Sequence, residues 1–296
     1  GARKFGRLVL EKKVDFVIGA LSSAVTLNVM QLAKKYNKVM MSPISQNVKI
    51  TGERRNEQTF RVNANPLITS NALATWLVNN IGKKFYLLTV DYAWGRSSSE
   101  VYHKVLEKKG AKIIGETFFP LETKDFAPYF GKIKAARPDV LFITAGGTNA
   151  ISVVTQADRY GLKKMMTISG DGTLVASDAL AAQGAAANGI VTADYYAASI
   201  PTPENQRWVA KYKKLYNEVP SKFSVSGYTC MAWLAQAVKQ AKSTESDKVI
   251  AALEGSTFHG PQGEQVMDPD SHQASMDIWM LKVVDGKLKV MGKAKE

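Results

Sequence analysis

A parallel α/β fold is what this sequence predicts, and three features carry the prediction. Short β-branched runs alternate with amphipathic helical stretches from the N-terminus to Ile200, the rhythm of parallel sheets covered by helices on both faces. The runs give way to loops of Gly, Ser, Thr, Asn or Asp, which punctuate elements. The composition is globular: 296 residues, 45% apolar and 22% charged. That excludes a disordered or collagen-like chain, and the length suggests about two domains.

Each element has its own signal. Residues 2–12 read as a helix in mid-course, with Phe5, Leu8 and Val9 on one side. Val14-Asp15-Phe16-Val17-Ile18 is a buried strand ended by Gly19, and Val25, Val29, Leu32 and Ala33 give one face to a helix over 24–36. Val39-Met40-Met41 is the next strand, closed by Ser42-Pro43, and Pro66 opens a helix over 67–80. The strand Phe85-Tyr86-Leu87-Leu88-Thr89-Val90 precedes a helix over 97–109, and a strand over 112–119 leads to a helix over 125–136. Val140-Leu141-Phe142-Ile143, a helix over 149–160 and the strand Met166-Thr167-Ile168 complete the alternation. After Ile200, Pro201-Thr202-Pro203 breaks the pattern, and helices follow over 204–216 and 224–242. The runs 276–284 and 287–291 alternate like an antiparallel hairpin turning at Asp285-Gly286. A helical insertion followed by a late hairpin suggests a chain that crosses between two lobes more than once.

Charge and cysteine content narrow the classes. The formal charge of +13 admits nucleic acid, anionic membrane or acidic ligands. The lysines spread over helix faces, as Lys34, Lys35, Lys108, Lys109, Lys132 and Lys134 do, which is a solvated exterior. Cys230 stands alone, excluding an internal disulfide or multi-cysteine metal site, and His103, His259 and His272 are far apart in sequence. No metal or cofactor is expected. The uncharged stretches 16–33 and 140–157 are interrupted by Gly, Ser, Thr, Asn and Gln, so neither reads as a transmembrane helix.

In parallel sheets, ligands bind outside the carboxyl ends of strands. The exit loops here are Gly19-Ala20-Leu21-Ser22-Ser23, Ser42-Pro43-Ile44-Ser45-Gln46-Asn47, Asp91-Tyr92-Ala93-Trp94-Gly95, Ala145-Gly146-Gly147-Thr148-Asn149 and Ser169-Gly170-Asp171-Gly172-Thr173. Hydroxyls, amides, aromatics and carboxylates converge there, the equipment of a polar small-molecule site. Ser22 or Ser23 serves either as a helix N-cap, worth ~1 kcal/mol, or with free backbone amides as an anion holder. Asp171 is either a turn residue or a carboxylate for a ligand cation, a bond worth ~1.5–3 kcal/mol. Trp94, between Ala93 and Gly95, reads either as a core aromatic or as a loop residue offering an exposed stacking platform. No G-x-G-x-x-G follows the first strand, and neither a P-loop nor a G-x-S-x-G elbow occurs. A distributed polar pocket without a nucleophile and base favours binding over chemistry.

These loops form a known pattern in sequence order. Val17-Ile18-Gly19-Ala20-Leu21-Ser22-Ser23, Met41-Ser42-Pro43-Ile44-Ser45, Thr59-Phe60-Arg61-Val62, Asp91-Tyr92-Ala93-Trp94-Gly95, Thr123-Lys124-Asp125-Phe126, Gln156-Ala157 before Gly161-Leu162, Gly170-Asp171-Gly172 and Pro220-Ser221-Lys222-Phe223 before Tyr228 together resemble the periplasmic solute-binding proteins of ABC transporters. The resembling branch is the branched-chain amino-acid (Leu/Ile/Val) binding family.

The resemblance implies a two-lobed type I periplasmic-binding fold, each lobe a parallel sheet flanked by helices. Lobe 1 is expected over 1–62 and 196–259 and lobe 2 over 63–195 and 260–296, with strand-like hinges near 60–63 and 190–195. A strand, helix and strand are expected before Gly1. Ser22, Ser23, Ile44, Ser45 and Gln46 are implied to hold a ligand carboxylate, and Asp171 to meet its ammonium. Trp94, Gly146 and Phe223 are implied to wall its side-chain pocket. Gln46 stands where the family usually has threonine. The loop around Gly146 lacks an aromatic where amino-acid binders often carry tyrosine, which leaves volume for an aromatic acid as readily as for leucine. The implied activity is capture by lobe closure and delivery to an ABC permease, outside the cytoplasm, with no enzyme activity and no nucleic-acid partner. The alternative is the ligand-sensing core of a transcription regulator or of a receptor ectodomain.

Overall fold

The structure, a computed structural model, describes residues 1–294. Its elements begin with α1 (Ala2–Gly6, prolonged by a π-helical turn, Arg7–Glu11), β1 (Phe16–Ile18), α2 (Ser23–Lys35), β2 (Val39–Ser42) and β3 (Thr59–Arg61). Next come α3 (Pro66–Asn80), β4 (Lys84–Val90), α4 (Ala93–Lys108), β5 (Lys112–Phe119), α5 (Ala127–Ala136) and β6 (Val140–Thr144). They lead to α6 (Gly147–Arg159), β7 (Thr167–Gly170), α7 (Ser177–Gln183) and β8 (Val191–Asp194). The remainder is α8 (Pro203–Tyr216), α9 (Lys222–Ala241), α10 (Ser246–Leu253), β9 (Thr257–Gly260), β10 (Gly263–Val266), β11 (Trp279–Val284) and β12 (Lys287–Lys293).

The chain divides into two compact units, Gly1–Asn65 with Pro201–Asp277, and Pro66–Ile200 with the residues from Ile278 onward. The first unit holds a parallel sheet in the order β1-β2-β3. Its middle strand is buried on both faces, which explains why Val39-Met40-Met41 shows no polar alternation. Met40 packs with Phe5, Val9, Val29 and Ala33 from the first two helices. Val39 and Met41 join Phe60, Trp233 and Leu253 on the other face. Phe5 and Val9 are buried but Leu8 is exposed, so the first helix turns a narrower face inward than its sequence suggests. Ser221 and Ser224 form a reciprocal capping box that starts α9 at Lys222.

The domain division departs from the expected lobes over 260–277, which belong to the first unit rather than the second. Backbone pairing is the reason. The β9–β10 hairpin carries Gln265, whose Nε2 donates to the Val62 carbonyl (3.1 Å). Arg61 N–H donates to the His272 carbonyl and Ala274 N–H to the Arg61 carbonyl, both at 2.9 Å. Residues 196–200 likewise go with the second unit, where Ser199 Oγ donates to the Leu288 carbonyl (2.7 Å).

The second unit is built on a seven-stranded sheet, β12-β11-β8-β7-β6-β4-β5. Strands β4 to β8 are parallel, and β11 joins β8 antiparallel. The β11–β12 hairpin turns at Asp285 and Gly286, with φ +51° and +67°, the left-handed pair that matches strand twist. Tyr86, Leu88, Phe126, Phe130, Ile143 and Val153 belong to its core. Among the described residues no helix is long and apolar enough to cross a membrane.

Candidate ligand-binding site

In the first unit, the loops leaving β1 and β2 are knotted together. Ser45 is buried, and its Oγ lies 2.8 and 3.1 Å from the carbonyls of Ala20 and Leu21 and 2.6 Å from Thr26 Oγ1. That hydroxyl therefore locks the two loops to each other. Ser23 is also buried, and its Oγ accepts the Asn47 N–H (3.1 Å). Ser22 holds the N-cap position of α2 in extended conformation (φ −75°, ψ 126°), yet no side chain caps the helix. Among the described residues α2 thus has no side-chain cap, the arrangement that suits an anion at a helix N-terminus. Ile44 and Gln46 are half-buried on the same loop.

Behind that loop stand two residues that the sequence did not single out as ligand-binding. Asn63 Nδ2 donates to the carbonyls of Ile44 (3.0 Å) and Ser45 (3.4 Å). Arg61, fully buried at the end of β3, sends Nη1 to the carbonyls of Asn47 (2.7 Å) and Ser45 (3.4 Å) and Nε to Gln273 Oε1 (2.6 Å). Its Nη2 donates to Thr51 Oγ1. Burial pulls the Arg61 guanidinium down to about 9. The signal was legible in Thr59-Phe60-Arg61-Val62, since a charge inside an apolar run is seldom buried without purpose. Phe223 sits on a separate element, half-buried in the first turn of α9 with Lys222 Nζ 5.6 Å from its ring centroid.

In the second unit, Trp94, Gly146 and Asp171 stand at the exits of β4, β6 and β7, three neighbouring strands. Of the two readings of Trp94, the core aromatic holds and the exposed loop platform does not. Trp94 lies in the first turn of α4 and is 5% exposed, within the core of the unit. Gly95 permits this early helix start, because a Cβ there would fall 1.9 Å from the Val90 carbonyl oxygen. The Trp94 indole N–H is sealed from solvent and meets no acceptor among the described residues. Gly146 lies against the ring: a Cβ there would meet Thr173 Cγ2 at 2.8 Å and the indole at 3.7 Å.

Asp171 is 4% exposed, and its Oδ1 accepts the Thr173 N–H (3.0 Å), so the turn reading holds for that oxygen. Three further groups cluster with it. Tyr92 is pushed up by burial and by the Asp171 charge. Tyr102 is pushed up by burial and by the charges of Asp171 and Asp194. Asp194, 4% exposed at the end of β8, packs so closely that a Cβ on Gly172 would lie 1.8 Å from its Oδ2. A depression of about 490 Å³ in this unit, lined by Ile81, Asp139, Thr167 and Ile190, opens at the opposite, N-terminal ends of the strands.

Donor-rich strand exits in one unit, and acid-and-aromatic exits in the other, define a class: an α/β binder of small polar solutes. The chain belongs to the periplasmic binding protein family, whose model matches residues 1–287, and each unit has the helix-flanked parallel sheet of the type I fold. Among its relatives is Leu/Ile/Val-binding protein homolog 6 of Brucella melitensis, 24% identical over 93% of this chain and 72% of the relative. A solute binding protein of an ABC transporter from Rhodopseudomonas palustris BisB5, solved with 3,4-dihydroxybenzoic acid, matches at TM-score 0.92 and 29% identity over 100% of this chain and 83% of its own. A leucine binding protein from Thermotoga maritima MSB8 matches in fold at TM-score 0.88, 22% identical over 99% of this chain and 83% of its own.

Proposed function

We propose that this protein is an extracytoplasmic solute-binding protein that captures a small organic acid and delivers it to the permease of an ABC transporter. Ser22, Ser23 and the backbone over 44–46 hold the acid group. Trp94 and Gly146, with Phe223, shape the space for the rest of the ligand, and Asp171 receives its distal polar group. The aromatic carboxylate is the better-supported ligand class. One observation carries it: a buried indole whose N–H lacks an acceptor among the described residues lies against an exit loop with no side chain at Gly146. That arrangement suits a flat ring bearing an accepting substituent. The Rhodopseudomonas relative solved with 3,4-dihydroxybenzoic acid supports the same class, and permease delivery rests on the family. Asp171 favours an amino acid as second reading, since a buried carboxylate suits an ammonium group.

Calorimetric titration with 3,4-dihydroxybenzoate, 4-hydroxybenzoate, benzoate and leucine tests this. The hydroxybenzoates are expected to bind at least ~tenfold more tightly than leucine, a difference of ~1.4 kcal/mol. Leucine binding best would install the second reading. A panel without binding, and without the ~2.7 kcal/mol of stabilisation expected at about 100 times the Kd, would defeat both.

A further inference from the structure

We propose that Arg61 is the charge selector of the site: a guanidinium sealed behind the 44–47 loop, with no carboxylate of its own, restricts the ligand to molecules carrying a negative charge. This rests on the reading that the 44–47 loop meets the ligand's acid group. Arg61 is 0% exposed, and all its side-chain partners are neutral: Gln273 Oε1, Thr51 Oγ1 and the carbonyls of Ser45 and Asn47. Among the described residues it forms no ion pair with a carboxylate. Buried cations are ordinarily paired, because an isolated one loses its hydration without return. Two backbone carbonyls, an amide oxygen and a hydroxyl could be served by a neutral donor, so the charge itself is not what they require.

The peptide geometry carries that charge to the outer side of the loop. The Ser45 carbonyl shares a planar trans peptide with the Gln46 N–H, and the Ile44 carbonyl shares one with the Ser45 N–H. Drawing those carbonyls toward Arg61 and Asn63 directs the paired N–H groups the opposite way, and hydrogen bonding to a cation polarises the Ser45–Gln46 peptide further. A carboxylate docked on the outer side would supply the missing counter-charge across the loop. A neutral isostere would leave Arg61 as it is.

The test compares Kd for 4-hydroxybenzoate and 4-hydroxybenzamide, and for leucine and leucinamide, on the full chain. Arg61→Gln is expected to cut the preference for the acid over the amide by at least ~tenfold, through weaker acid binding with the amide unchanged. Arg61→Lys, which keeps the charge but not the fork, is expected to retain most of the preference. Gln273→Glu leaves the guanidinium in place and sets a carboxylate beside its Nε; it should abolish the preference as Arg61→Gln does, and it serves if the Arg61 variants fail to fold. A preference unchanged in Arg61→Gln or in Gln273→Glu overturns the proposal. Wild-type protein that binds neither pair removes the binding reading itself and this inference with it.

Discussion

The strand exits of the two units occupy equivalent places in parallel sheets yet are made from opposite chemistry. In the first unit the loops are tied by hydroxyls, Ser45 to Thr26 and Ser23 to the Asn47 amide, and backed by the buried Arg61 cation. In the second unit the exits gather two buried carboxylates, Asp171 and Asp194, with Tyr92, Tyr102 and the Trp94 indole. The fold supplies the position in both cases, and the residues at the strand ends decide which ligand group is welcome there. On the proposed function, one set of exits meets the acid group and the other the ring, hydroxyl or ammonium.

The largest expected effect comes from breaking the second set while leaving the first intact. Gly172→Ala forces a Cβ to within 1.8 Å of Asp194 Oδ2. Overpacking of this kind costs ~1–3 kcal/mol, read as a fall in Tm of roughly 2–4 °C for each kcal/mol at this chain size. Binding of hydroxybenzoate should fall with it, because the displaced Asp194 and Asp171 share one cluster. A variant as stable and as tight-binding as wild type would show that the acid cluster is not packed as described.

Asp171→Ala comes next and sharpens the contrast. Loss of a charge-assisted bond should weaken an amino-acid ligand by about tenfold or more, ~1.4 kcal/mol. Asp171→Asn keeps an acceptor, so a phenolic ligand should lose less in it than leucine does. Equal losses for both ligands in calorimetry would assign Asp171 to the turn alone. A smaller effect is expected in the first unit. Ser23→Ala removes the acceptor of the Asn47 amide, at a cost of ~0.5–1.5 kcal/mol. Denaturant unfolding should register that cost, and unchanged stability would show that the Ser23–Asn47 bond does not hold the loop.

The same contrast explains what the sequence disclosed. Long amphipathic helices and apolar strands were legible because burial repeats along them: Val140-Leu141-Phe142-Ile143 and the α9 face carrying Cys230 and Trp233 announce themselves. The start of α4 at Ala93, ahead of the helix expected over 97–109, was hidden because Gly95 reads as a breaker, whereas its role is to let α4 approach the Val90 carbonyl. The short strands β3 and β8 overlap the strand-like hinges expected near 60–63 and 190–195, and each ends on a charged residue, Arg61 and Asp194. Those two charges are the groups that give the two sets of exits their character. The tie of 260–277 to the first unit rests on non-local pairing with β3, which no local pattern reports.

A last prediction separates the units by pH. His272, buried in the first unit and stacked on Phe60 at 4.0 Å, contacts Glu254 Oε1 (2.9 Å) and Arg55 Nη2 (3.2 Å). Burial holds its pKa below the ordinary histidine value, outweighing the Glu254 carboxylate, with Arg55 acting in the same sense as burial. An unfolded chain therefore binds a proton at a higher pH than the folded one, and stability declines as pH falls below about 6.5. In the second unit the phenols of Tyr92 and Tyr102 are pushed upward, away from this range. Melting curves between pH 5 and 8 should show wild-type stability falling on acidification, and His272→Gln should flatten that slope, since glutamine has no proton to gain. A slope as steep in the variant as in wild type would mean that the acid-sensitive group lies elsewhere, and that the two units do not differ in this respect.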